Sequence, residues 1–486
     1  MKKNYIPKVV LLIVLLFSVG ACESDFEEIN TDPNNPTEVP TAFLLSSAQQ
    51  SIIQAAFGMN RTTNWDAIGM RYMQMWTSTL YTDDDRYAIR EGDFTEFYKG
   101  GLTDLTEIIR LNTDEKTKAT VAASGANQNQ IAVARILKAW TFQIITDIWG
   151  DIPYSEALQG LANTTPAYDP QSAIYTDLIK ELDEATAQID ETAGDIQGDL
   201  FYNGNMANWK LFAQSLKLRM GMRLSEVDPE KAAKTVQEAL SAGVFTSNDQ
   251  MATFRYMASA PYYNPFYHNY YIGTPTIAVA NTLVDKMLEL QDPRISAYAQ
   301  EKENGGGFVG MPYGVSAAIA GSVNNKNVSF QSTRVLAADV KLVLQSYSEV
   351  LFLQAEAAAR GWASGNPEEL YKAAITASMQ YWDVPQGQID TYLAQPAVAY
   401  DPTNYRKSIG DQKWLSLYLQ GLEAWSEWRR LDYPALLPAP DAAQGREIPR
   451  RRGYPLQEIS LNKASYEAAV ARQGPDVMET RVWWDK

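Results

Sequence analysis

Apolar residues that recur every fourth position, in run after run, constrain this chain more than any other feature. Between Gln130 and Trp149 the recurring positions are Ile136, Trp140, Ile144 and Ile148, the stripe of a helix packed on one face. Gly150 and then Pro153 end that run. Asp169-Pro170 opens a second helix, with Ile174, Leu178, Leu182, Ala185 and Ile189 in line. Asn205 to Ser225 is a third, apolar at Trp209, Phe212, Leu216 and Met220. Asp228-Pro229 restarts the chain into a short helix to Ala242, with Gly243 beyond.

Further along, Tyr347–Trp362 is rich in alanine (Ala355, Ala357, Ala358 and Ala359), and small residues let helices approach closely. Ala363-Ser364-Gly365-Asn366-Pro367 turns the chain into Glu368–Trp382, with Leu370, Ala374, Ala377 and Tyr381 facing inward. A helix–turn–helix of about 35 residues is the size of a tetratricopeptide (TPR) unit. Asp169–Leu224 has room for a second pair with a longer connector. These units are degenerate, so the expectation is TPR-like packing rather than a clean array, and generic helical hairpins satisfy the same pattern. No linker-like stretch interrupts the interior. The expected organisation is a leader at 1–21, an acidic and Asn/Pro-rich tether at 22–40, and one α-dominated body over 41–486.

The leader has three parts. Lys2, Lys3 and Lys8 make a cationic start, an apolar run of 11 residues spans Val9 to Val19, and Val19-Gly20-Ala21-Cys22 closes it. Such a run is too short to cross a bilayer core of ~30 Å as a helix. Cys22 stands where a mature chain would begin, which matches the bacterial lipobox. It is also the only cysteine of the 486 residues, so no disulfide and no Cys-based metal site can form within the chain. Glu23, Ser24, Asp25, Glu27 and Glu28 follow as a solvated acidic tether, and 30–40 is dense in turn formers.

Loss of Lys2, Lys3 and Lys8 with the leader takes the formal charge from −16 to −19. Nucleic acid is thereby an unsuitable partner, because it needs a basic surface. An anionic lipid surface would not hold the chain either, which leaves two acyl chains on Cys22 as the anchor. The single histidine, His268, rules out an H-E-x-x-H helix and any His-rich metal cluster. Neither a G-x-S-x-G elbow nor a Walker loop is present. Gly305-Gly306-Gly307-Phe308-Val309-Gly310 fits G-x-G-x-x-G formally but lacks the preceding strand and the following helix. Carboxylates are the remaining catalytic route, since a glycosidase needs two of them ~5–9 Å apart. Asp83-Asp84-Asp85 is the conspicuous cluster, and it reads as a solvated loop or a calcium contact before it reads as catalysis. No other cofactor is expected.

Met251–Thr276 and Asn304–Asn327 break the helical pattern and look like surface loops. The first gathers Tyr256, Tyr262, Tyr263, Phe266, Tyr267, Tyr270 and Tyr271 among three prolines. Rings clustered in this way make platforms for ligands with apolar faces, sugars among them, and their polar tips add hydrogen bonds. Trp76, Tyr81 and Arg86 form a second set, beside Asp85 and Tyr87. Packing of a long loop onto the body would use the same rings. The candidate ligand residues are therefore Trp76, Tyr81, Arg86, Tyr262, Tyr263, Phe266, Tyr267 and Tyr270. His268, between Tyr267 and Asn269, suits stacking or hydrogen bonding better than catalysis.

Several segments taken in order resemble one family, the SusD/RagB nutrient-binding outer-membrane lipoproteins of Bacteroidetes, in the SusD-like subfamily. They are Phe26-Glu27-Glu28-Ile29-Asn30-Thr31-Asp32-Pro33-Asn34, Trp149-Gly150-Asp151-Ile152-Pro153-Tyr154 and Tyr202-Asn203-Gly204-Asn205-Met206 with Trp209. Tyr347-Ser348-Glu349-Val350 with Gln354-Ala355-Glu356 follows, then Trp425-Ser426-Glu427-Trp428-Arg429-Arg430. Ile448-Pro449-Arg450-Arg451 with Tyr454-Pro455, and Trp483-Trp484-Asp485, complete the series. The resemblance implies an all-α dominated, TPR-like scaffold with long ligand-binding loops and no catalysis. It also implies a partner, a SusC-like TonB-dependent β-barrel transporter. The acidic residues behind Cys22 resemble the surface-export signal of such lipoproteins, which would place the chain on the outer membrane facing outward. The expected role is capture of an oligosaccharide for import, neutral in view of the acidic surface. A peptide ligand, a lipid-anchored glycoside hydrolase and a helical adaptor without a small ligand are the alternatives.

Overall fold

Helix dominates the computed structural model, which describes residues 39–57, 67–89 and 91–486. The expected leader, Cys22 and nearly all of the expected tether lie outside the described residues. In chain order the main helices are α1 (Thr41–Ala56), α2 (Thr103–Thr113), α3 (Asn127–Trp149), α4 (Gln171–Gln188) and α5 (Met206–Arg223). They continue with α6 (Pro229–Ala242), α7 (Tyr347–Ala359), α8 (Pro367–Tyr381), α9 (Tyr405–Ser416) and α10 (Gly421–Leu431). Neighbours in sequence pack as hairpins: α3 on α4, α4 on α5, α5 on α6, and α7 on α8. Among the described residues no helix is long and apolar enough to cross a membrane.

Local chemistry sets the helix starts. Asn205 accepts from the Asn208 amide at 3.1 Å, and Asp228 from that of Lys231 at 3.1 Å with Pro229 at the first helical position. Asn366 does the same for Glu368 at 2.9 Å. Each such cap is worth about 1 kcal/mol. The stripe Ile136, Trp140, Ile144 and Ile148 is buried as its spacing predicts, yet Val133, Leu137 and Ile145 on other faces are fully buried as well. Helix α3 is a central element packed against α1, α2, α4, α5 and α10, which is why one stripe understates it.

Charge fills the interior where these helices meet. Arg219 on α5 grips Glu349 on α7 through two bonds of 2.7 Å. Arg223, one turn on, holds Glu423 at 2.7 Å and Glu427 on α10, and approaches Asp147 on α3 at 3.4 Å. Glu427 also receives Lys413 at 2.8 Å and Arg430 at 2.7 Å, and Arg430 reaches Glu356 on α7 at 2.5 Å. From there the chain of pairs runs outward through Arg360 to Glu226. Burial would raise the pKa of Glu356 and of Glu427, but the cations around them, Arg430 first, hold both below the usual carboxylate range. Asp147 differs, because burial outweighs Arg223 and Arg429 and raises it.

Family-like segments take their physical meaning here. Glu349, Glu356, Glu427 and Arg430 are members of this network. Trp484 is fully buried and donates to Asp147 at 2.8 Å, so the C-terminal residues help to close it. Trp149-Gly150-Asp151 turns α3 into a short antiparallel pairing of Ile152–Pro153 with Tyr168–Asp169, where Asp151 accepts from the Gln171 amide at 2.9 Å.

Two small ribbons carry the loops. They pair β1 (Trp76–Ser78) with β3 (Ile277–Val279), and β2 (Ala252–Arg255) with β4 (Lys341–Gln345), both antiparallel. The ring-rich segment is what connects β2 to β3.

Candidate ligand-binding face

Asn264 fixes the ring-rich segment to the body. Fully buried, it donates from its side chain to the carbonyls of Val335 at 2.9 Å and Ala337 at 3.0 Å, and from its amide to that of Ala338 at 2.8 Å. Its oxygen accepts from the Phe266 amide at 3.0 Å, and Pro265 supplies the first residue of a short turn, Pro265–Tyr267. A π-turn over His268–Ile272 extends it. Sequence reasoning did not single out Asn264, although Asn before Pro is a helix-start signal.

The segment holds no long helix, as expected, but this short helical turn gives it a regular stretch. Tyr263, Tyr267 and Tyr271 stand four residues apart and so gather on one side. Tyr263 meets Tyr267 edge-on at 5.6 Å, Tyr267 meets Tyr271 at 5.1 Å, and Tyr271 meets Tyr270 at 4.9 Å. His268 stacks on Tyr263 at 5.9 Å and shares a hydrogen bond of 2.7 Å with its hydroxyl through Nδ1. Tyr270 is braced by Phe330 at 5.4 Å and by the Gln300 amide at 2.8 Å. Tyr262, Tyr271, Ile272 and Met257 stand about half exposed. Tyr271, Ile272 and Met257 were not among the candidates, and the spacing of four from Tyr267 is the signal that would have found Tyr271.

The remaining candidates fall in two places. Phe266 turns inward and packs edge-on against Trp76 at 4.8 Å. Trp76 is 1% exposed and donates its indole N–H to Tyr418 at 2.9 Å, so it braces the segment from below. Tyr81 is 69% exposed. Its amide donates to Ser78, whose hydroxyl donates to the Thr276 carbonyl at 3.1 Å, which sets Tyr81 beside the end of the ring segment. Arg86 donates instead to the Asp441 carbonyl at 2.8 Å and takes no part in the ring cluster. Burial pushes the neighbouring Tyr87 hydroxyl up to about 12.

Asp83-Asp84-Asp85 does not supply a free carboxylate pair. Asp85 is fully buried and accepts from Arg71 at 2.6 Å, Thr77 at 3.0 Å and the Ser78 amide at 2.8 Å, while Asp84 pairs with Arg71 at 3.2 Å. A guanidinium thus stands where a calcium contact was considered. Among the described residues no group of three or more His, Cys, Asp or Glu could hold a metal.

Beneath Trp76 and Phe266 lies a narrow cavity of about 60 Å³. Its apolar walls include Ile144, Leu342 and Leu344, and its polar wall is the inner end of the ion network, at Asp147, Arg219 and Glu423. Close backbone approach builds its rim: a Cβ on Gly69 would sit 2.3 Å from the Gly421 carbonyl carbon, so only glycine fits. What the face can do chemically is stack on a flat apolar surface and exchange hydrogen bonds through phenol hydroxyls and one imidazole.

A helical scaffold with an ion-paired interior and rings collected on one segment is the build of a binding protein. The chain belongs to the SusD-like family, described as starch-binding and associating with the outer membrane, whose model matches residues 33–455. Among solved structures, a chitin-binding protein is 28% identical at a TM-score of 0.79, covering 92% of this chain and 99% of its own. A SusD homolog from Bacteroides ovatus ATCC 8483 is 25% identical at 0.72, covering 92% and 98%. A chitin-binding SusD homolog from Flavobacterium johnsoniae is 24% identical at 0.73, covering 92% and 97%. No curated protein matches the chain.

Proposed function

We propose that this chain is a cell-surface lipoprotein that captures an oligosaccharide on the Tyr263–Tyr267–Tyr271 face and passes it to a TonB-dependent outer-membrane transporter. One observation carries the ligand class: tyrosines stepped along a braced turn, one pair edge-on and the next tilted, present apolar ring surface with hydroxyls at its margins, which is what a sugar ring requires. Membership of a family described as starch-binding supports it, as does the likeness to a chitin-binding protein. Starch and chitin are both uncharged polymers, in keeping with a neutral stretch of saccharide on the rings.

Binding needs no cofactor and breaks no bond in this reading. Titration of the purified chain with maltotetraose, chitotetraose and a tetrapeptide panel tests it, with product analysis after prolonged incubation. Retention of a tetrasaccharide without cleavage supports capture. Cleavage would instead make the chain a hydrolase, and preference for peptides would replace the ligand class. The anchor rests on Val19-Gly20-Ala21-Cys22. Labelled fatty acid should enter the chain in growing cells and be lost in Cys22→Ser. The transporter partner should co-purify with the chain from detergent-solubilised outer membranes.

A further inference from the structure

A second concavity, a cleft of about 460 Å³, opens where β2 and β4 meet the end of α8. Small ligands occupy spaces of this size. Three cations line it, Arg255, Arg334 and Lys341, with Asp249 and Asp339 as its carboxylates. The chain as a whole carries a charge of −16, whereas here, with Asp383 at the edge as a partner of Arg334, the charges balance.

The strand pattern brings these cations together. Met251, Thr253 and Arg255 alternate along the segment and line the cleft, while Ala252 and Phe254 turn to the core. In the antiparallel register Arg255 stands directly opposite Lys341. Like charges so placed repel and destabilise the pairing. Asp339 relieves only one of them, bonding Arg255 at 2.7 Å. Among the described residues the Lys341 side chain has no hydrogen bond or ion pair. Arg334 completes the set, its guanidinium 4.8 Å from the Trp382 ring centre and 5.4 Å from that of Tyr381. It also donates to Asp383 at 2.5 Å and to the Tyr381 carbonyl at 2.6 Å. Both guanidiniums are thus held in place with donors to spare, the condition for receiving an anion without loss of side-chain freedom.

The same wall serves the ring face. Strip 335–340 lines the cleft at Val335, Ala337, Asp339 and Val340, and it receives the amides of Asn264 and Tyr256 from the ring segment.

We propose that the cleft binds one anionic substituent, a carboxylate or a sulfate ester, carried on a saccharide. The saccharide part rests on the function proposed above, whereas the anion part rests on the cleft alone. Arg255 and Lys341 would share the anion, Arg334 would flank it, and Asp249 would accept from a neighbouring sugar hydroxyl.

Calorimetric titration of the mature chain with tetragalacturonate and with a sulfated chondroitin tetrasaccharide tests this, using chitotetraose as the neutral reference and tetraglutamate as the peptide control. The expected result is binding of at least one anionic tetrasaccharide, weakening with salt. In Lys341→Ala and Arg255→Gln the anionic-to-neutral affinity ratio should fall about fivefold each, the scale of an exposed ion pair, and Lys341→Arg should restore it. No binding of either anionic sugar, or binding indifferent to Lys341 and Arg255, overturns the proposal. Tetraglutamate bound as tightly would overturn the saccharide assignment. Absence of chitotetraose binding, with the Lys341-dependent anion binding intact, would count against the neutral-ligand reading and leave the cleft standing.

Discussion

Between α5 and α10 the side chains of Arg219, Arg223, Glu423, Glu427 and Arg430 are at most 8% exposed, whereas Tyr262 and Tyr271 stand about half in solvent on the ring segment. Ordinary partition would place these residue types the other way round. A buried charge persists only when partners compensate it, so the network over-determines where α3, α5, α7, α9 and α10 sit. Exposed rings are under no such demand. They are held by a few hydrogen bonds beneath them, chiefly those of Asn264, and part of each ring stays in solvent. Rigidity and ligand contact are thereby assigned to different residues.

The widest gap between the regions should appear when a network member is removed. Arg430 holds both Glu356 and Glu427, so Arg430→Met leaves two buried carboxylates short of a partner. The expected loss is about 3–5 kcal/mol, read as a lowered urea midpoint. Joint replacement of Arg219 and Glu349 by Met and Leu should cost less than either single change, because no orphan charge remains.

Acid sharpens the same contrast. Glu356 and Glu427 have folded pKa values held below the usual carboxylate value, which the unfolded chain retains at about 4.3. Their stabilisation is full above that value and is lost as pH falls through the folded ones. Asp147 and Glu349, raised by burial, act in the opposite sense. Unfolding midpoints taken from pH 7 down to pH 3 should therefore decline, and Glu356→Gln should flatten the decline. An equal slope in the variant would exclude Glu356 as a source of it.

How much of this was readable in the sequence follows from the range of each interaction. Repeats of four along α3, α4 and α5 are local, and their helices appear where the stripes placed them. Arg223 and Glu427 lie 204 positions apart, and nothing local says that they pair. Both would pass for a solvated helix face, and only the likeness of their segments to a family marked Glu427 and Glu349 at all. On the ring segment, composition pointed to the right stretch but not to its conformation. The prolines suggested a loop, while Asn264 and Pro265 in fact start a turn that brings Tyr271 into line. Trp76 was a candidate by ring type alone, and its partners Phe266 and Tyr418 are far enough along the chain that its burial left no local trace.

A smaller effect is expected at the anchor between the two regions. Asn264→Ala removes two donated bonds and one accepted bond and leaves two carbonyls without a donor, which should cost about 1–3 kcal/mol. It should also weaken sugar binding by releasing the ring segment, with faster amide exchange confined to 256–276.

The smallest expected energy belongs to a single ring, and it tests the division of labour most directly. Tyr267 touches Tyr263 and Tyr271 but no member of the ion network. Tyr267→Ala should lower the unfolding free energy by about 1 kcal/mol, well short of the loss at Arg430. A ring contact is worth roughly 1 kcal/mol, so tetrasaccharide affinity should fall about fivefold. Tyr267→Phe separates the two roles of the side chain, since it keeps the stacking face and removes the hydroxyl. Retention of most of the affinity would assign binding to the ring, and loss equal to that of alanine would assign it to the hydroxyl. A drop in stability with unchanged affinity would place Tyr267 in the scaffold and move the ligand to another face.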